Sequence, residues 1–99
     1  MKDDFRVIKI NLPDGGVYYM SRKDSFPRNP TEFMKTNIRA LEIEGNDRPI
    51  NLACQKYESR GCIISILATG LSKSQADSMK LNAIKIDRSD PTLTVYNII

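Results

Sequence analysis

The chain has 99 residues, one small domain's worth, with 40% hydrophobic residues, 27% charged residues and a net charge of +3. Such a chain can bury a modest core, and no apolar run nears the ~20 residues a membrane-spanning helix needs. The mild basic excess permits a polyanionic partner without demanding one, and the charges are interspersed.

Histidine is absent and there is no Cys-x-x-Cys pair. That argues against a zinc site and removes the commonest general base. Cys54 and Cys62 each sit in apolar surroundings and read as small core residues rather than a disulfide or a nucleophile. The opening residues, MKDDFRVIK, lack the apolar region of a secretory signal. A cytoplasmic location without membrane attachment is expected.

Met1 to Asp4 is polar and expected to fray. Phe5 to Leu12 places Ile8, Ile10 and Leu12 on one face, the pattern of a half-buried strand. Asp14-Gly15-Gly16 supplies a tight connection. Val17 to Met20 is a second strand rich in β-formers. A hairpin over Arg6 to Ser21 follows.

Ser21 to Arg28 is a basic loop with Arg22, Lys23 and Arg28 around Phe26. Asn29-Pro30-Thr31-Glu32 predicts a helix start with Asn29 as cap and Glu32 completing a capping box. Met34, Ile38 and Leu41 form its apolar stripe, with Phe33 beside them. Lys35 and Arg39 project together from near the opposite side. The helix should stop near Glu44-Gly45. Asp47 can cap a second helix, with Pro49 in its first turn and a stripe of Ile50, Ala53, Cys54 and Tyr57. Gly61 is a plausible stop beyond it.

Cys62 to Thr69 is apolar on both faces, which predicts a strand at the centre of the sheet. Ser72 and Gln75 form a capping box for a third helix, with Leu71 positioned to staple onto Ala76. Ala76, Met79 and Ala83 are expected to face the core. Asp87 to Pro91 is a turn. Leu93 to Ile99 could add a short last strand. The order is β-β-α-α-β-α. The expected fold is a small α+β domain with a mainly antiparallel three-stranded sheet and about three helices packed on it.

That order and several local stretches resemble the GIY-YIG endonuclease superfamily over nearly the whole chain. Arg6-Val7-Ile8 and Tyr19-Met20-Ser21 stand where the two named tripeptides would be. Gly61 to Leu67 is similar to the third strand, and Gly70-Leu71-Ser72 to Ala76 to the start of the helix bearing the metal-binding glutamate. Val95-Tyr96-Asn97-Ile98 resembles the terminal motif. The departures fall on the chemistry. Ile8 replaces the first tyrosine, Ser21 replaces a glycine, and Lys80 stands where the glutamate should be. The family's arginine corresponds loosely to Arg28, with Lys35 and Arg39 as other candidates.

The resemblance implies phosphodiester hydrolysis with one metal ion, but a lysine repels a divalent cation. Asp77 and Asp87, the nearest carboxylates, are off-register. No nuclease activity and no cofactor or metal are therefore expected. The resemblance further implies a retained phosphate-binding face of Tyr18, Tyr19, Arg22, Lys23, Arg28, Lys35, Arg39 and Lys80, in which cations contact phosphates and tyrosines stack or donate. Taken singly, each cation also reads as ordinary exposed surface. Two function classes follow: a nucleic-acid-binding module that has lost cleavage, and an interaction or inhibitory factor for an acidic protein. The second would suit a phage or mobile-element accessory protein active in counter-defence. An active nuclease ranks third. Oligomeric state is not legible.

Overall fold

The structure, a computed structural model, describes residues 4–97. Met1 to Asp3, and Ile98 and Ile99 of the expected last strand, lie outside the described residues. Two strands come first, β1 (Phe5–Asn11) and β2 (Val17–Arg22). Helices α1 (Pro30–Glu44) and α2 (Pro49–Lys56) follow, then β3 (Ile63–Leu71) and α3 (Lys73–Arg88). The fold is the expected β-β-α-α-β-α arrangement, with three strands in one antiparallel sheet.

The strand order is β2-β1-β3, which corrects the expected place of β3. The centre belongs to β1, where Val7, Ile8 and Ile10 are fully buried. Alternation along the strand sends Ile8, Ile10 and Leu12 into one layer with Phe33, Met34, Ile38, Ile50, Ala53 and Cys54. A second, smaller cluster joins Val17 and Tyr19 to Ile84 of α3. So α1 and α2 cover one side of the sheet and α3 covers the other. The continuous apolar run of β3 belongs to an edge strand, with Ile63, Ile66 and Leu67 exposed. Phe33, 1% exposed, is the largest fully buried side chain, and Tyr18 and Phe26 tilt against its ring. Phe33→Ala should cost about 3–5 kcal/mol, readable as a lowered denaturation midpoint in urea with unchanged slope.

Local signals explain most of the boundaries. In the hairpin loop the Leu12 N–H donates to the Gly16 carbonyl, and Gly15 takes φ +85. A Cβ on Gly16 would lie 2.4 Å from the Tyr96 ring, so close approach fixes glycine there. Asn29 caps α1 by accepting from the Glu32 N–H at 2.8 Å. Glu32 does not close the expected box; it reaches one residue further and accepts from the Arg28 N–H. Arg48, not Asp47, is the N-cap residue of α2, and no side chain caps that helix. Asn46 accepts from the Arg48 N–H instead. The capping box of Ser72 and Gln75 is fully formed. Along α3 the buried positions are Ala76 and Ile84, whereas Met79 is 38% exposed. The helix is rotated by its polar anchors: Tyr19 donates to Asp87, and Ser21 to Asp77 at 3.2 Å.

Val95 forms a single parallel bridge to Val17, so the described part of the chain's end is a tether rather than a strand. Tyr96 of that segment donates its hydroxyl to Asp14 in the hairpin loop. Burial raises the Asp14 carboxyl, but the bonds from Tyr96 and from the Gly16 N–H outweigh it and leave it below its usual value. A depressed folded-state carboxyl stabilises above its unfolded value, near pH 4, and loses that stabilisation as pH falls through the folded value. Asp14→Asn should therefore lower the melting temperature at pH 7 and shrink the further drop between about pH 4 and pH 2, read by circular dichroism.

Candidate functional site

The free edge of β2 organises the site. Along this strand Tyr18 and Tyr19 alternate between the two sides of the sheet. Tyr18 leans on Phe33, with ring centroids 6.1 Å apart, and Tyr19 is buried beside Ile84. Residues 94–97 run beside the start of the edge. The Val17 N–H donates to the Thr94 carbonyl, and the Tyr96 N–H donates to Val17. Asn97 then imitates a strand partner: its amide accepts from the Tyr19 N–H at 2.9 Å and donates to the Tyr19 carbonyl at 2.8 Å. Arg88 fixes this segment from α3 by donating to the Asn97 carbonyl.

Beyond Asn97 the β2 edge opens into a cavity of about 440 Å³. Tyr18 to Arg22 form one wall, Arg48 and Ile50 at the start of α2 another, and Lys80 of α3 with Tyr96 and Asn97 the rest. Arg22, Arg48 and Lys80 are cations, and among the described residues no carboxylate lines the cavity. Burial raises the Tyr18 hydroxyl above its ordinary value, and Arg48 and Arg22 both pull it back, which places their positive fields at that oxygen. The N-terminal dipole of α2 adds to the same field. Arg22 is held by Asp24 at 2.6 Å and lies over the Phe26 ring. Arg48 and Lys80 take part in none of the ion pairs found among the described residues. Comparison with models of protein families, with curated proteins and with solved structures finds no match to this chain.

Of the eight residues expected from sequence, the fold brings together Tyr18, Tyr19, Arg22 and Lys80. Tyr19 contributes a wall but not a free hydroxyl, because Asp87 accepts from it. Lys23 is an exposed loop residue. Arg28 is exposed and pairs with Glu32 at 3.3 Å. Lys35 and Arg39 line a separate groove on α1. That groove is larger, at about 670 Å³, but Glu32, Glu42 and Glu58 line it too. Its mixed charge selects no class of ligand, so the smaller, purely cationic cavity is the better candidate.

Six lining residues were not singled out as site residues from sequence: Met20, Ser21, Arg48, Ile50, Tyr96 and Asn97. The last two stand in the terminal stretch that carries the resemblance. Arg48 gives no sequence signal beyond its place before Pro49.

Among the described residues the cavity presents cations and hydroxyls rather than carboxylates. Asp77 is engaged by Ser21 and by Lys73 at 3.6 Å, and Asp87 by Tyr19. Among the described residues no three metal-ligating side chains cluster. A divalent cation does not fit a cavity walled by Lys80, Arg48 and Arg22. Burial, with a smaller contribution from Cys62, pushes the Cys54 thiol up to about 12, so it stays protonated in the core. What remains is a set of donors: two cations outside the ion pairs found among the described residues, one paired arginine, and the Tyr18 hydroxyl.

Proposed function

We propose that this chain is a non-catalytic nucleic-acid-binding module of GIY-YIG-like design that takes backbone phosphate into the cavity beside β2. The observation that supports this most is the lining: three cations, no carboxylate among the described residues, and the rings of Tyr18 and Tyr96. Cations alone would take any acidic partner. Cations set beside the half-buried rings of Tyr18 and Tyr96 suit a phosphate with a base beside it. Lys80 carries the charge logic, since an ammonium attracts the phosphate that a metal ion would otherwise have to bridge.

Arg48 and Lys80 provide the free charge. Arg22 can fork onto a phosphate only by giving up Asp24, so it costs one ion pair to recruit. Fluorescence polarisation with labelled duplex and single-stranded DNA at ~50 mM salt tests the proposal, since phosphate contacts are strongest at low salt. Equal binding in EDTA and in magnesium, with the strands left intact, is expected. Magnesium-dependent cleavage that disappears in Asp77→Ala would overturn the non-catalytic part. Absence of DNA binding together with capture of an acidic protein would favour the interaction factor.

A further inference from the structure

The two free edges of the sheet are finished differently. Residues 94–97 cover the start of the β2 edge, and the Asn97 amide satisfies the Tyr19 backbone. Along the outer edge of β3, none of the described residues pairs. That edge runs nine residues, IISILATGL, with neither a charge nor a proline. Ile63, Ile66 and Leu67 are 68%, 53% and 46% exposed. Natural sheets blunt such an edge with charge, proline, shortness or a covering segment, because its free N–H and C=O groups are a template for another strand. Here the visible devices are two register shifts against β1, between Phe5 and Val7 and between Val7 and Ile8.

We infer that β3 is a homodimer interface, in which two β3 strands pair antiparallel across a two-fold axis into one six-stranded sheet. A second copy is the fitting occupant because the strand is its own complement. With Ser65 on the axis, Ile63 meets Leu67 and Ile64 meets Ile66 of the other copy. The exposed apolar side chains are thus matched by cross-strand apolar partners. Two copies of a chain carrying +3 repel in general, and this uncharged stripe lets them meet without opposing like charges. The neighbouring layer contributes as well. Asp77 anchors α3 to β2, and Met79 and Ile86 stand roughly half a turn round the helix from it. They are 38% and 70% exposed, apolar side chains of α3 left outside the core. An edge about 30 Å long, on a molecule no thinner than 22 Å, presents on the order of 700 Å², near the ~800 Å² per partner of a standard interface. The pairing would set the two cationic cavities at opposite ends of the shared sheet.

Light scattering coupled to gel filtration tests this on the full chain. The parent protein should elute with the mass of two 11.2 kDa chains. An Ile66→Lys/Leu67→Lys variant should keep its circular dichroism spectrum and elute as one chain. Its dimer dissociation constant should rise by more than ~100-fold, because each copy sets two ammonium groups against the other's edge. A monomeric parent at ~100 µM, a concentration that would populate even a weak dimer, overturns the inference. So does a variant that folds and still dimerises. Should the double variant fail to fold, Ser65→Cys decides: residues paired across the axis lie ~4.5–5.5 Å apart at Cα, within disulfide reach. A covalent dimer under mild oxidation supports the pairing, and its absence overturns it.

Discussion

An Arg48→Ala/Lys80→Ala double variant is expected to bind DNA about 100-fold more weakly than the parent at low salt. Each residue offers a charge-assisted hydrogen bond to phosphate, and the net value of such a bond is about 1.5 kcal/mol or more. Neither side chain takes part in the ion pairs found among the described residues, so removing it leaves no orphaned carboxylate behind. The fold should be untouched, since Arg48 is exposed and Lys80 is half-buried without a partner in those pairs. Lys35→Ala/Arg39→Ala removes the same charge from the α1 groove. Because those two residues sit among carboxylates outside the cavity, binding should change by no more than about twofold. Equal losses in the two double variants would mean that diffuse charge, not the cavity, holds the DNA. Polarisation titrations of both variants against one duplex make the comparison.

The second large effect concerns Asn97, which is 8% exposed and holds both backbone groups of Tyr19. Asn97→Ala leaves a buried N–H and a buried carbonyl without partners, each worth about 1–3 kcal/mol. The expected loss is about 2–4 kcal/mol, and at ~4–8 °C per kcal/mol for a domain this size the melting temperature should fall by ~8 °C or more. Asn97→Asp keeps the acceptor for the Tyr19 N–H but turns the donor into an oxygen facing the Tyr19 carbonyl, so it should not rescue. A fall of less than ~3 °C for Asn97→Ala would show that the amide does not clamp β2, since even one lost buried bond should exceed that.

Much of the architecture was legible because local chemistry agreed with the tertiary result. The hairpin over Arg6 to Ser21, the Asn29 cap, the stop at Gly45 and the box of Ser72 and Gln75 are local signals, and the chain follows them. Apart from the cap details at Glu32 and Asp47, the errors share one cause: burial pattern does not reveal neighbours. An apolar run such as Cys62 to Thr69 reads as a doubly covered strand, yet the covering helix α3 is drawn over β2 by Asp77 and Asp87. The same anchoring turns Met79 outward and Ile84 inward.

The candidate site was half legible for a related reason. Tyr18, Tyr19 and Arg22 are consecutive or nearly so on one strand, so sequence keeps them together. Lys80 reached the list through a family resemblance. Arg48 and Tyr96 join them through folding alone, from segments 26 and 74 residues after Arg22 that no spacing rule connects. Lys35 and Arg39 were misleading because i, i+4 spacing shows that two side chains share a helix face, not which groove that face lines.

The most direct measurement is the slope of log affinity against log salt for the parent chain on duplex DNA. Arg48 and Lys80, each neutralising one phosphate and releasing its counterion, should give a line of slope near −2, and the double variant a line about two units shallower. A slope near zero for the parent, or a parent and double variant with the same slope, would contradict phosphate binding in the β2 cavity.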